Sequence, residues 1–135
     1  MSPEIPAPND PFHAHVYYDE QSWDTARRLH QELSEMLVTG TMPNLVLVGK
    51  MYETGVGPHP MPQFEIQFFA SAVPDITRIL QASGLRALIH PLTDDDLADH
   101  TTLAIWLGEP LPLDESVLDP PGQNQGIARF GKVDF

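Results

Sequence analysis

Alternating hydrophobic and polar positions along the chain predict five β-strands. The clearest segments are FHAHVYYD (12–19) and QFEIQFFA (63–70), in which every second residue is apolar. A period of two is typical of a strand with one buried face. Three further segments, rich in aliphatic and aromatic residues and bounded by turn residues, are predicted as strands at 44–53, 86–92 and 101–108.

Two segments with helical spacing lie between these strands. The first spans 19–38 and places apolar residues three or four positions apart, until Gly40 ends the pattern. The second spans 73–84 and ends at its own glycine, Gly84. Glycine directly after the last apolar turn is a common helix stop, because it tolerates the left-handed conformation there.

This order of elements predicts the fold class. A β-α-β-β-α-β succession followed by one more strand is typical of a ferredoxin-like α+β fold, an antiparallel sheet with both helices on one face. Right-handed crossovers give the strand order 4-1-3-2. We expect one domain over 1–135, with an extended arm at 1–11 and an irregular tail at 109–135.

The fifth strand and the segment before it are predicted from weaker signals. Leu103, Ile105 and Leu107 are expected to face the core. Trp106, on the opposite side, is expected to be a packing residue. The acidic segment TDDDLADH lacks the glycine and the final glutamate of a calcium-binding loop, and is interpreted as a solvated turn with a helix cap.

The predicted sheet brings several histidines to one edge. We expect strands one and three to run parallel and strand four to run antiparallel to strand one. The beginnings of strands one and three then lie beside the end of strand four. Glu65 shares the outward face of this region, and one more histidine begins the fifth strand. The histidines brought together are His13, His15, His59, His90 and His100.

Composition narrows the chemistry of such a cluster. The net charge of −12 disfavours nucleic acid and anionic lipid as partners. The sequence has no cysteine, so a metal would be held by imidazole and oxygen ligands. We see no signal peptide and no apolar run of membrane-spanning length, and therefore expect a cytoplasmic protein without membrane contact.

Three imidazoles, or two imidazoles and a carboxylate, suit Fe(II), Zn(II) or Mn(II) with open coordination positions. One alternative is a module that binds a metal or a small ligand without turnover. Another is a structural dimerisation domain whose outer sheet face forms the interface, although that face is polar. A homodimer with a site between subunits also fits. His30, in the middle of the first helix, is interpreted as structural.

Three histidine-bearing segments resemble the DOPA 4,5-dioxygenase family, over the chain from Phe12 to about Asp114. They are FHAHVYYD, GPHPMPQFE and HPLTDDDLADHTTLAIWLGEPLPLD. The resemblance implies a ferredoxin-like fold and extradiol cleavage of a catechol such as L-DOPA by O₂. It also implies Fe(II) as the cofactor, with Zn(II) as a substitute in the purified protein.

The resemblance also implies roles for individual residues. Three of the four family histidines, which are His15, His59, His90 and His100, would bind iron, and the fourth would transfer protons. We prefer His15, His90 and His100 as the ligands and His59, on its proline-stiffened loop, as the acid and base. His13 and Glu65 would support the ligands from behind, and Tyr17 would hydrogen-bond the substrate.

Overall fold

The computed structural model describes residues 7–132. The strands are β1 (Pro11–Tyr17), β2 (Leu45–Val48), β3 (Gln63–Phe69), β4 (Ala87–Pro91) and β5 (Ile105–Leu107). They form one antiparallel sheet in the order β2-β3-β1-β4-β5. The ferredoxin-like α+β fold and the predicted strand order, with the fifth strand beside the fourth, are therefore confirmed.

Two long helices cover one face of this sheet. They are α1 (Trp23–Thr39) and α2 (Val73–Ser83), and they end at Gly40 and Gly84, whose φ angles are 71° and 75°. Their buried residues pack in one core with the apolar residues of β1 and β3, as the alternation predicts. The buried side chains are Ala26, Leu29, Leu33, Ile76 and Leu80 from the helices, with Phe12, Ala14, Val16, Phe64, Ile66 and Phe68 from the strands.

The prediction that the first and third strands run parallel is wrong. β1 pairs with β3 antiparallel, so that Tyr17 at the end of β1 lies opposite Gln63 at the start of β3. The reason is the split β-α-β unit: the helical crossover makes β1 and β2 parallel, and β3 lies antiparallel between them. The loop before β3 therefore meets the end of β1. The histidines converge in the middle of the sheet.

The second face of the sheet is polar and nevertheless buried. Its side chains include Gln63, Glu65 and Gln67, none more than 1% exposed. Part of the cover is the C-terminal segment, residues 118–132, which contains α4 (Gly126–Arg129). The backbone N–H of Gly131 donates to Gln67 Oε1, and the ring of Phe130 stacks on His13. The C-terminal segment thus forms a partial third layer over the outer face.

The predicted fifth strand is too long. The acidic segment before it forms α3 (Asp96–His100), because Asp95 caps it by accepting from the N–H of Ala98, and His100 ends that helix instead of starting the strand. The expected core face is correct for Leu107, which packs against the core. It is wrong for Leu103 and Ile105, which are 38% and 45% exposed.

The termini agree with the prediction in part. Residues 1–6 of the expected arm lie outside the described residues, and Pro11 already belongs to β1. Within the expected irregular tail, described to residue 132, α4 and a 3₁₀ turn at Glu115–Val117 are the regular elements. None of the helices in the described part of the chain has the length and apolar character needed to cross a bilayer.

Candidate metal centre

Five histidines line one small cavity on the outer face of the sheet. Two come from β1, one from the loop before β3, one from β4 and one from the end of α3. The cavity has a volume of about 230 Å³ and is otherwise lined by the 57–58 loop, α3 and the C-terminal segment. All five side chains are at most 9% exposed. The histidines are His13, His15, His59, His90 and His100; they do come together, but in the middle of the outer face and not at the predicted edge of the sheet.

His15 and His90 point their Nε2 atoms at one another. Their Nε2 atoms are 3.0 Å apart. The Nδ1 of His15 donates to the side-chain carbonyl of Gln63 at 3.1 Å, and the Nδ1 of His90 donates to the backbone carbonyl of Pro91 at 2.8 Å. Because a carbonyl only accepts, both neutral rings carry their proton on Nδ1 and a lone pair on Nε2. Two lone pairs therefore face each other across 3.0 Å, an arrangement that a shared cation relieves.

His13 lies behind this pair, at the start of a polar chain that leads to the C-terminal segment. Its Nδ1 is 3.2 Å from Glu65 Oε1. The other carboxylate oxygen of Glu65 accepts from Gln67 Nε2 at 2.9 Å, and Gln67 in turn accepts from the N–H of Gly131 at 2.6 Å. Glu65 thus orients His13, and a segment far away in the sequence orients Glu65 through Gln67.

His59 has a different kind of partner. Its Nδ1 is 2.7 Å from the hydroxyl of Tyr17, and its ring lies 4.1 Å, centroid to centroid, from that of His15. Burial raises the pKa of Tyr17 above its usual value, so the phenol keeps its proton. A hydroxyl can donate or accept, and His59 can therefore exchange tautomers without losing this hydrogen bond.

His100 is held by the helix that it ends. Its Nδ1 donates to the backbone carbonyl of Asp96 at 2.8 Å and lies 3.3 Å from Asp96 Oδ1. Burial lowers the pKa of His100, but the hydrogen bonds and charge of Asp96 outweigh that effect and raise it above the usual value. Among the five, this ring is the one that keeps a proton on both nitrogens most readily.

The other four histidines are neutral at physiological pH. Burial, and then the neighbouring His100, lowers the pKa of His59 and of His13 to about 3. Burial also holds the pKa values of His15 and His90 well below the usual range, with further lowering from the other imidazoles of the cluster. A neutral imidazole is the form that binds a metal ion.

The side chains of His13, His15 and His90 could hold a metal ion. One ring nitrogen from each lies within 4.8 Å of the others, and all three residues are buried. Two nitrogens bound at right angles to one ion, at about 2.1 Å each, are about 3.0 Å apart, which matches the spacing between His15 and His90. The donor set therefore fits a first-row divalent metal with imidazole ligands.

The predicted ligand set overlaps with this group in two of its three members. His15 and His90 are common to both, and the group contains His13 where the prediction had His100. His100 lies beside His90, with ring centroids 4.2 Å apart, but 6.4 Å from His15. Glu65 lies behind His13, and Tyr17 contacts His59. The roles expected of them, support of a ligand for Glu65 and a hydrogen bond to the substrate for Tyr17, stay predictions.

Other contributors were not predicted from the sequence. Gln63 and Asp96 hold His15 and His100, and Asn124 and Arg129 from the C-terminal segment line the cavity. The sequence feature that could have identified Gln63 is its outward position on the same strand as Glu65. We find no sequence feature that would have identified the residues of the C-terminal segment. His30 lies elsewhere, and its Nε2 donates to the backbone carbonyl of Gly49 at 2.8 Å, in agreement with a structural role.

Comparison with known proteins points to the family that the histidine-bearing segments resemble. The model of the Dopa 4,5-dioxygenase family matches residues 12–117. An uncharacterised 21.2 kDa protein of Botryotinia fuckeliana is 32% identical over 119 residues, covering 79% of this chain and 62% of that protein. A DOPA 4,5-dioxygenase of Amanita muscaria is 27% identical over 109 residues, covering 76% of this chain and 46% of the enzyme. This chain thus spans between about half and three fifths of these curated relatives.

A solved structure supports the relationship. A crystal structure from Nostoc punctiforme, provisionally described as a dioxygenase, superimposes with a TM-score of 0.69 at 31% identity. The match covers 81% of this chain and 90% of that one. The family match includes the five histidines of the cavity. The chain belongs to the Dopa 4,5-dioxygenase family.

Proposed function

We propose that the protein is a non-haem Fe(II) extradiol dioxygenase that opens the ring of a catechol such as L-DOPA with O₂. The observation that carries the proposal is the pair of imidazoles whose Nε2 lone pairs face one another at 3.0 Å, in a buried cavity with three more histidines. The family relationship supports oxygen chemistry at this site.

We assign His13, His15 and His90 as the metal ligands. All three are neutral and their nitrogens lie close together. Three imidazoles leave open coordination positions, as a reaction between a substrate and O₂ requires. We prefer His13 to His100 because the pKa of His100 is raised, and its proton would compete with a metal.

The protein's own groups would manage the protons. Bound here, Fe(II) supplies Lewis-acid and redox chemistry toward the catechol and O₂. His59 is the base that takes a catechol proton, since it is neutral and Tyr17 can hold either of its tautomers. His100, kept in place by Asp96, is the proton donor on the other side of the cavity. Each of the five imidazoles is at most 9% exposed, which limits the contact of these groups with bulk water.

The size of the cavity favours a small substrate. Pockets for drug-sized ligands have volumes of about 300–1,000 Å³, whereas this one has about 230 Å³. A single ring with a short substituent suits that volume. Pro58, Leu92 and Val117 supply apolar wall, and Arg129 is the basic residue that lines it among the described residues.

The experiment is anaerobic reconstitution with Fe(II), followed by a catechol and air. We expect a yellow ring-opened semialdehyde that requires iron and is absent with His15→Ala and His90→Ala. His30→Ala, which removes a histidine outside the cavity, is the matched control and should retain activity. Stoichiometric metal binding without product across a panel of catechols would contradict the proposal and leave a metal-binding module without turnover.

A further inference from the structure

A second, larger cavity lies at the end of the sheet where β1 finishes. We call it the edge cavity; its volume is about 600 Å³. The end of β1, the residue before β4 and the end of β5 meet there, since these antiparallel neighbours bring their termini together. The lining residues used below are Tyr17, Tyr18, Asp19, Arg86, Trp106 and Glu109.

Aromatic rings form one wall of the edge cavity. Trp106 stacks on Tyr17 with ring centroids 6.1 Å apart and an angle of 17° between the planes. Tyr17 is almost fully buried, whereas Trp106 is half-buried and keeps part of its indole accessible. A flat ring entering the cavity can therefore extend this stack, a contact that favours aromatic ligands.

Opposite charges lie beside this wall. Arg86 precedes β4 and stands across from Gly108, with its Cγ 3.5 Å from the position of a Cβ there. Glu109 is the next residue and is exposed. Within residues 7–132, the structure shows no ion pair or hydrogen bond for the side chain of either Arg86 or Glu109. In contrast, Asp19 accepts from the N–H and the hydroxyl of Ser22.

We propose that the edge cavity binds an aromatic amino acid. Its ring would stack on Trp106, its carboxylate would bind Arg86 and its ammonium group would bind Glu109. A cation and an anion that are not paired with each other, next to an aromatic wall, suit a zwitterion better than an ion of one sign. The Tyr17–His59 pair separates this site from the histidine cavity. The proposal goes beyond the dioxygenase function and requires no metal.

Tryptophan fluorescence of the metal-free protein tests this proposal. The chain has two tryptophans, so Trp23→Phe leaves Trp106 as the reporter. We expect L-phenylalanine, which no dioxygenase of this kind can cleave, to change the emission saturably. Arg86→Gln and Glu109→Gln should each weaken binding about tenfold, as loss of a charged hydrogen bond does. 3-Phenylpropanoate and phenethylamine, which each lack one charge, should bind about tenfold more weakly.

The controls separate the edge cavity from other sites. Arg78→Gln removes an exposed arginine on α2 that pairs with Asp75, and should not change the affinity. His100→Ala alters the histidine cavity and should not change it either. The proposal fails if emission does not saturate, if Arg86→Gln binds with wild-type affinity, or if His100→Ala abolishes binding. None of these outcomes depends on catechol cleavage, so failure here and failure of the dioxygenase proposal are distinguishable.

Discussion

At the scale of single residues, the partner on the far ring nitrogen decides what each histidine can do. Carbonyls hold the Nδ1 protons of His15 and His90 and thereby direct two Nε2 lone pairs into the cavity. At His100 the carbonyl and carboxylate of Asp96 instead favour the protonated ring. His59 meets the hydroxyl of Tyr17 and keeps both tautomers accessible. Identical side chains thus acquire different chemistry from neighbours that no local sequence pattern specifies.

Gln63→Leu tests the first kind of partner. The substitution removes the carbonyl that holds the Nδ1 proton of His15, so that the proton can move to the nitrogen facing His90. We expect metal affinity to fall about 10–100-fold, the usual cost of losing a support behind a ligand. Competition with a metal-binding dye measures it. Gln31→Leu, on the exposed side of α1, is the matched control; equal affinities would show that the carbonyl of Gln63 does not matter.

Tyr17→Phe tests the second kind of partner. Without the hydroxyl, His59 loses its hydrogen bond and its fixed orientation, and we expect kcat to fall about 100-fold, the low end for general acid–base catalysis. Metal stoichiometry should remain unchanged, because Tyr17 does not contact His13, His15 or His90 through a hydrogen bond. Steady-state kinetics with a metal assay on the same sample give both values. A variant that loses metal instead would place Tyr17 in support of the ligands.

At the scale of elements, loops and short helices deliver the side chains that the sheet cannot. The loop before β3 positions His59, α3 positions His100, and the C-terminal segment covers His13. Hydrogen bonds that involve side chains attach each of these three elements to the rest of the domain. Asn124, for example, donates to the carbonyl of Thr93 and to the buried carboxylate of Asp99. Such attachments span up to 64 residues of sequence.

Gly55→Ala should displace the His59 loop. A Cβ at this position would lie 2.5 Å from the carbonyl oxygen of His59, too close for any real contact, so the backbone must shift. We expect kcat to fall about tenfold or more, because an error of about 1 Å in a catalytic group can cost about 100-fold. Kinetics compared with Thr54→Ala, an exposed neighbour, would reveal it. An unaffected kcat would mean that the loop adapts without moving His59.

Asn124→Ala should loosen the C-terminal segment. Two hydrogen bonds disappear, one of them to the buried carboxylate of Asp99, and we expect the free energy of unfolding to fall by about 1–3 kcal/mol. Urea denaturation measures this change. Gln123→Ala is the control, because that side chain is exposed. Stability equal to the wild type would show that the segment is held elsewhere.

At the scale of the whole molecule, the candidate metal site draws its ligands from parts of the chain that are far apart in the sequence. His13 and His15 lie on β1 and His90 on β4, two paired strands that both long helices separate in the sequence. The unfolded chain cannot offer these ligands together. Metal binding is therefore coupled to folding, and the bound ion should stabilise the native state.

Thermal unfolding gives the size of this effect. At a free metal concentration of about 100 times Kd, binding adds about 2.7 kcal/mol to the free energy of unfolding. For a chain of this size the gain corresponds to a rise in Tm of roughly 10 °C. Chelation should reverse the rise, and His90→Ala should abolish it. A Tm that changes with neither Fe(II) nor Zn(II) would argue against a resident metal.

The expected homodimer stays a prediction, which analytical ultracentrifugation can check.

The sequence by itself determined the fold class and the histidines of the cavity. Local periodicity and glycine stops specify elements, and the order of those elements allows few topologies. Which residues face the core followed from alternation in β1 and β3 for the same reason. The resemblance to the family was also visible in the sequence, because each of its histidine-bearing motifs is an unbroken stretch of residues.

Only the tertiary structure decided the remainder. The antiparallel pairing of β1 with β3, the helix that carries His100, and the burial of the polar face by the C-terminal segment all depend on contacts between distant parts of the chain. The choice of proton position on each imidazole also depends on such contacts, through Gln63, Pro91, Asp96 and Tyr17. Periodicity reports which face of a strand is apolar; it does not report whether another part of the chain also covers the polar face.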